Sequence, residues 1–458
     1  MQPDSVDVAV IGAGPAGLAA AATAAELGLS VALLDEQAHP GGQIFRDVTR
    51  AGVDRLQLLG DDYAAGRALV ERFTQSTARY VGSASVWNIS PDRMVHYSKD
   101  GRSQSMAAGQ VILCTGAMER PFPIPGWTLP GVMTAGAAQI LLKSAGVVPS
   151  QPVVLAGCGP LLYLLAWQYL RAGVQIGAIV DTTQRGDHLQ ALRRLKGALA
   201  GWRDVRKGLS LIRSIRVAGV PFYRAATDLA VEGGSRATAL RFRIGATSHR
   251  VQADLVLLHQ GVVPNIQITA SLRAKHRWDD PQLCWVPHAD AWGRLELDGF
   301  LIAGDGRGIA GAAAASLQGQ IAGLAAAHDA GHLSEPERDR RAKPLRSALR
   351  RHLHIRPFLH TLYRPKIQHR VPADDVIVCR CEEVCAGELR RLVALGCTGP
   401  NQTKAFSRCG MGPCQGRLCS LTVTELIAHE RGVSPAEVGH YRVRPPIKPI
   451  TLEELAAL

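Results

Sequence analysis

The chain of 458 residues is 47% hydrophobic and 20% charged, which excludes a disordered polymer and leaves room for about three domains with sizeable cores. Its formal net charge of +13, from 52 Lys and Arg against 39 Asp and Glu, makes nucleic acid the first partner to test. The distribution reads against it: residues 185–224 hold ten Lys/Arg against two Asp/Glu, and residues 335–370 hold eleven against three. Neither stretch carries a groove-reading motif or an aromatic-interleaved platform, so they read as solvated faces or docking surfaces for an acidic partner. Met1 to Asp7 lack the charged-then-apolar pattern of a secretory signal, and the Ala-rich run near residue 312 is broken by Ser316, Gln318 and Gln320. No transmembrane segment and a cytoplasmic location are expected.

In chain order, a short apolar strand from Val8 to Ile11 passes through Gly12-Ala13-Gly14-Pro15-Ala16-Gly17 into an alanine-rich helix. Gly12 suits a tight turn, Gly14 leaves no side chain between backbone and a pyrophosphate, and Gly17 lets the helix pack close to the strand. The amides at the helix start, with the positive end of its dipole, then face phosphates. Asp35, followed by Glu36, lies 18 residues past Gly17 at the end of the next predicted strand, where a carboxylate accepts hydrogen bonds from a ribose diol. Gly41-Gly42-Gln43 returns the backbone to this cradle.

A partly polar helical region to about residue 77 is followed by strand-like segments at 79–88 and 93–98. The apolar strand beginning at Gln110 ends in Thr115-Gly116, and Pro121 and Pro125 enforce an extended crossover. A second strand-turn-helix starts at Val153 with Gly157-Cys158-Gly159-Pro160-Leu161-Leu162. Here Leu162 stands where the third glycine belongs and is expected to push the helix away from the strand. This second site is read either as a retained fold without its ligand or as one that holds it in an altered pose. Gly304-Asp305-Gly306 then opens a long Ala/Gly helix; Asp305 can approach the sugar-like chain of a flavin or act as a helix cap.

Seven of the ten cysteines fall between positions 379 and 419, which in a cytoplasmic protein points to metal. Cys379 and Cys381 share one loop, and Cys409 and Cys414 share a glycine-rich second one. Four such thiolates suit a [2Fe-2S] cluster, with zinc the alternative, for which a C-x-C pair is a poorer fit. Cys419 is the reserve for the fourth ligand, since it is expected one turn inside a helix over residues 418–430; Cys385 and Cys397 read as small buried residues.

On these motifs the chain resembles a known group. The first glycine motif, Thr115-Gly116 and Gly304-Asp305 look like the three flavin-binding signatures of flavoproteins with two dinucleotide-binding domains, the class of thioredoxin and ferredoxin reductases. The tail, Cys379-Arg380-Cys381-Glu382-Glu383 with Arg408 to Arg417, is similar to the bacterioferritin-associated-ferredoxin-like [2Fe-2S] domain. Together they resemble the alpha (A) subunits of heteromeric amine-oxidising enzymes: opine oxidases, D-hydroxyproline dehydrogenases, hydrogen cyanide synthase and, more distantly, sarcosine oxidase alpha.

The resemblance implies an α/β chain with two Rossmann-like dinucleotide-binding domains and a small helical [2Fe-2S] domain. Residues 1–135 and 266–333 would form the FAD-binding domain, 136–265 an NAD(P)-binding-like domain, 334–371 a linker or wrap and 372–458 the cluster domain. FAD would contact Gly12, Gly14, Pro15, Ala16, Gly17, Asp35, Glu36, Gly42, Gln43, Thr115, Gly116, Gly304 and Asp305. Cys379, Cys381, Cys409 and Cys414 would hold the cluster. A beta subunit resembling D-amino-acid and sarcosine oxidases would oxidise the substrate's C–N bond, with an FMN between the subunits also implied. Electrons would leave to a downstream acceptor. Leu162 disfavours NAD(P) at the second site, and the absence of a CxxC near the flavin disfavours disulfide reduction. No acid, base or nucleophile is assigned in this chain. The alternatives are a stand-alone NAD(P)H-dependent ferredoxin-type reductase and a redox or iron sensor.

Overall fold

The computed structural model describes residues 4–456 and divides the chain into two units. The first comprises the residues up to Met118, Val263–Leu353 and the segment from Arg442 onward; the second comprises Glu119–Val262 and His354–Tyr441.

In the first unit the apolar residues Val8 to Ile11 form the buried half of strand Asp4–Ile11. This strand lies between Val31–Leu34 and Arg102–Leu113, parallel to both. Arg79–Val81 continues the parallel array on one side. On the other, Met94–Lys99 and Ser85–Ile89 add antiparallel strands, and Phe300–Ile302 returns late in the chain to pair with Arg102–Leu113. Helix Pro15–Glu26 starts with a proline at its first turn, where the missing N–H costs nothing, and all but its last residue are buried. It packs along helix Ala312–Asp329 with almost no side chain between the two backbones. A Cβ on Gly319 would come within 2.1 Å of the Ala16 carbonyl oxygen.

The segment expected as a linker is helical over Glu335–His354 and Arg356–Leu362. The longer helix accommodates Pro344, and the guanidinium groups of Arg338 and Arg346 lie 4.2 and 3.9 Å from the Trp292 ring centre. Its basic residues thus hold the helix through cation–π contacts. The end of the chain belongs with the first unit: Val443 and Ile447 join its sheet core, and Ile447 N–H donates to the Trp87 carbonyl at 2.8 Å.

The second unit repeats the arrangement. A parallel sheet runs Phe222–Tyr223, Ile176–Asp181, Val153–Cys158, Leu255–Gln260, Val132–Thr134, and an antiparallel sheet formed by Thr227–Gly233, Ala237–Ile244 and Thr247–Gln252 packs into the same core. Leu162, in the first turn of helix Pro160–Arg171, is completely buried. The cysteine-rich region packs against this fold. Trp127 Nε1 donates to the Ile377 carbonyl at 2.7 Å, and the buried Glu425 carboxylate is shared by Arg370 and Arg120. Among the described residues no helix is long and apolar enough to cross a membrane.

Gly319→Ala is expected to destabilise the chain by about 1–3 kcal/mol through overpacking. Gly208→Ala, on helix Trp202–Val217 with no atom within 4 Å of the new Cβ, is expected to stabilise by up to about 1 kcal/mol. Urea denaturation of the two variants checks both signs.

Candidate functional site

The glycine motifs of the first unit meet one another through backbone contacts. Gly12 adopts φ +102°, and a Cβ there would lie 2.4 Å from the Cys114 carbonyl oxygen; one on Gly17 would lie 1.8 Å from the Gly12 oxygen. Gly42 closes against Gly14, its Cβ position 2.6 Å from the Gly14 Cα, while Gly41 N–H donates to the Ala13 carbonyl at 2.9 Å. The late motif joins the same place: Gly304 would touch the Ala16 Cβ at 2.7 Å, and Gly306 the Thr115 hydroxyl at 2.9 Å. Gly14, Gly116 and Gly311 behave differently, since no described atom lies within 4 Å of a Cβ at any of them. Their bare backbone faces open space of the kind an extended phosphate ligand needs.

The two acidic residues hold the cradle as well as facing it. Asp35 Oδ2 accepts from Ala13 N–H at 2.6 Å and Oδ1 from Gln37 N–H at 2.8 Å, and burial raises its carboxyl above the usual range. Asp305 Oδ1 accepts from Ala310 N–H at 2.8 Å and Gly311 N–H at 2.9 Å, which makes it a cap for the turn entering helix Ala312–Asp329. Thr115 donates to the Asn265 carbonyl at 2.8 Å, and Asn265 N–H donates to the Gly116 carbonyl at 3.0 Å. Glu36 pairs with Lys448 at 2.5 Å, and Gln43 accepts from Arg46 at 3.2 Å.

At the corresponding edge of the second unit, residues of the chain itself engage the strand-end groups. Gly157 packs under strand Leu255–Gln260, its Cβ position 1.6 Å from the His259 carbonyl oxygen, so the turn geometry is kept. Asp181, at the end of its strand, is engaged by the Tyr163 hydroxyl at 2.9 Å and by Thr183 N–H at 2.8 Å. The Cys158 thiol donates to Gln260 Oε1 at 3.3 Å and faces the Tyr363 carbonyl at 3.6 Å. Lys366 pairs with the buried Asp187. Tyr363 and Lys366 had no signal in the sequence, because their contacts join positions some two hundred residues apart.

The cysteines gather in the same unit. The thiols of Cys379, Cys409 and Cys419 all lie within 4.8 Å of one another, and Cys381 and Cys414 form a hydrogen-bonded pair. Cys379 is the acceptor of the first group: S–H groups of Cys409 and Cys419, then backbone N–H groups of Gly410 and Glu382, hold its thiol well below the usual range. Gly412 is required by Cys381, whose Cβ would stand 2.2 Å from a side chain there. Arg408 ties the two loops by donating to Glu382 at 2.9 Å. Cys419 differs from its expected position. The helix starts later, at Ser420, so Cys419 is its N-cap residue, and its contacts with Cys379 and Cys409 together with burial hold its thiol well above the usual range. By sequence Cys419 stands only as the reserve fourth ligand, behind Cys409. Cys385 is half-buried and Cys397 buried, and neither belongs to this triad.

The family models match the two parts separately: pyridine nucleotide-disulphide oxidoreductase over residues 6–331, and the sarcosine oxidase A3 domain over residues 377–458. The A subunit of opine oxidase from Rhizobium meliloti is 46% identical across 99% of this chain and 87% of its own length. The chain belongs to the family of opine oxidase A subunits. The corresponding protein from Agrobacterium tumefaciens (strain Ach5) is 45% identical across 99% of this chain and 92% of its own length. Membership makes the chain an oxidoreductase subunit, one that works with a partner. Among solved structures, L-proline dehydrogenase from P.horikoshii shares the fold, with a TM-score of 0.75, 20% identity, and coverage of 99% of this chain and 80% of that one.

In the metal-free native protein, iodoacetamide is expected to label exposed Cys381 first and half-buried Cys385 and Cys414 more slowly. Cys114, Cys284 and Cys158, the last with a thiol that burial pushes up to about 12, should react only after unfolding; peptide mass mapping gives the order.

Proposed function

We propose that the chain is the electron-transfer subunit of a heteromeric dehydrogenase. In this reading it binds FAD in its first unit and a [2Fe-2S] cluster in its second. It receives electrons from a flavoprotein partner, of the D-amino-acid and sarcosine oxidase kind, that oxidises the C–N bond of an opine or a D-amino or imino acid. A downstream acceptor takes them on. The observation that carries the reading is the convergence of Cys379, Cys409 and Cys419 beside the Cys381–Cys414 pair. Two loops of thiols, supplied with backbone N–H donors, match the donor set of a [2Fe-2S] centre. Cys379, Cys381 and Cys414 would be ligands, with Cys409 or Cys419 the fourth. For FAD, the open backbone at Gly14, Gly116 and Gly311 is the fitting feature. Its pyrophosphate would lie on Gly12 to Gly17. A ribose hydroxyl would use a remaining lone pair of Asp35, since an ionised carboxylate offers about four acceptor sites. The flavin's sugar-like chain would lie near Asp305. When bound, FAD exchanges one or two electrons and the cluster one.

The second dinucleotide fold argues against NAD(P)H as the electron source. A nucleotide there would have to displace Tyr363, Lys366 and the bonds already made to Asp181. For the partner, the surface from Leu189 to Trp202 is the best candidate dock. Leu189, Leu192, Leu195, Leu199 and Trp202, spread over the successive helices Arg185–Leu192, Leu195–Ala200 and Trp202–Val217, are all exposed among Arg193, Arg194, Lys196 and Arg203. An acidic, apolar counterpart suits it, and the like charge opposes self-association.

Purified chain is expected to contain FAD and iron with acid-labile sulfide, and excess NADH should leave its flavin oxidised. Adding the partner flavoprotein with an opine should bleach the flavin and raise the EPR signal of a reduced cluster. Bleaching by NADH alone would establish the stand-alone reductase, and a colourless zinc protein would remove the cluster. Each of Cys379→Ser, Cys381→Ser and Cys414→Ser is expected to abolish the cluster's visible absorbance. Of Cys409→Ser and Cys419→Ser, one should abolish it and the other retain it.

A further inference from the structure

We propose that Tyr441 is a positioning residue for the cysteine centre, its hydroxyl donating to the Cys409 sulfur and raising the centre's reduction potential. The inference rests on the cluster reading above. Tyr441 is 2% exposed, and its ring fills the space left by two glycines of the second cysteine loop. A Cβ on Gly410 would come within 2.7 Å of the ring, and one on Gly416 within 2.6 Å. The phenolic oxygen is buried with no hydrogen-bond partner of normal geometry, and the group it faces is the Cys409 thiol. The Lys404 ammonium lies 5.3 Å from the ring centre and brings positive charge to the same side.

In the metal-free chain the Cys409 and Cys419 S–H groups serve as donors to Cys379. Thiols that bind metal lose those protons and act only as acceptors, so the donors must come from elsewhere. Backbone N–H groups of Glu382 and Gly410 serve Cys379, and that of Cys414 serves Cys381. For Cys409 the Tyr441 hydroxyl fills that role. Whether Cys409 binds metal itself or keeps its proton and donates to Cys379, the phenol's bond reaches the centre. A hydrogen bond to sulfur favours the more negative, reduced state, which moves the potential up.

The test is an EPR-monitored redox titration of the whole chain, with iron and acid-labile sulfide measured on each sample. Tyr441→Phe keeps the ring and removes the donor, so unchanged iron and sulfide with a more negative potential are expected. Fluorotyrosine incorporation keeps the ring and strengthens the donor. It should move the wild-type potential in the positive direction, and this arm decides the matter if Tyr441→Phe loses the cluster. Equal cluster content with unmoved potentials overturns the inference alone. A protein that carries zinc and no cluster overturns the cluster reading and the inference with it.

Discussion

The first unit depends on how closely the backbone of helix Pro15–Glu26 approaches its neighbours. Gly17 brings it onto the Gly12 carbonyl, Gly319 brings helix Ala312–Asp329 onto the Ala16 carbonyl, and Gly304 meets the Ala16 side chain. These contacts involve backbone or a single methyl group, which cannot change rotamer to absorb an added atom. Two stretches far apart in the chain, residues 12–26 and 304–329, are therefore fixed against one another by sterics. The side-chain-free positions Gly14, Gly116 and Gly311 keep a defined spacing as a result. Asp35 adds to this by tying Ala13 to the end of the second strand, so its carboxylate holds the loop in place.

The second unit keeps the strand-turn-helix core of a dinucleotide fold and differs from the first at its edge. Gly157 makes the same kind of contact as Gly12, against the next strand's carbonyl, and strand Val153–Cys158 is buried throughout. The interior needs nothing more. At the edge, Tyr163 and Thr183 take the Asp181 carboxylate, while Tyr363 and Lys366 arrive from a helical segment more than one hundred residues downstream. Contacts of this kind lie at the edge and leave the core untouched, and function follows the site and not the architecture.

The cysteine loops follow a related logic. Gly412 makes room for Cys381, and Gly410 and Gly416 make room for the Tyr441 ring. Each glycine answers to a particular neighbour, so the loop Cys409 to Cys419 is shaped by what packs on it. The buried Glu425, shared by Arg120 and Arg370, anchors the helix that follows to the second dinucleotide fold. Removing either partner of such a pair would leave an uncompensated buried charge.

The sequence by itself determined the two dinucleotide folds, the meeting of the three glycine motifs and the cysteine-rich tail. Those features rest on local rules: strand periodicity, glycine spacing around a turn, and thiols clustered within a short stretch. It also pointed to the family to which the chain belongs. The tertiary structure alone decided that residues 334–371 are largely helical and that Val443 and Ile447 return to the first sheet. It alone placed Cys419 just before its helix, gave Asp305 the Ala310 and Gly311 amides as partners, and laid Tyr363 and Lys366 against Cys158 and Asp187. The reason is range. A guanidinium over Trp292, a lysine on Asp187 or a phenol against Cys409 depends on residues distant in the chain, and such contacts leave no periodicity or spacing to read.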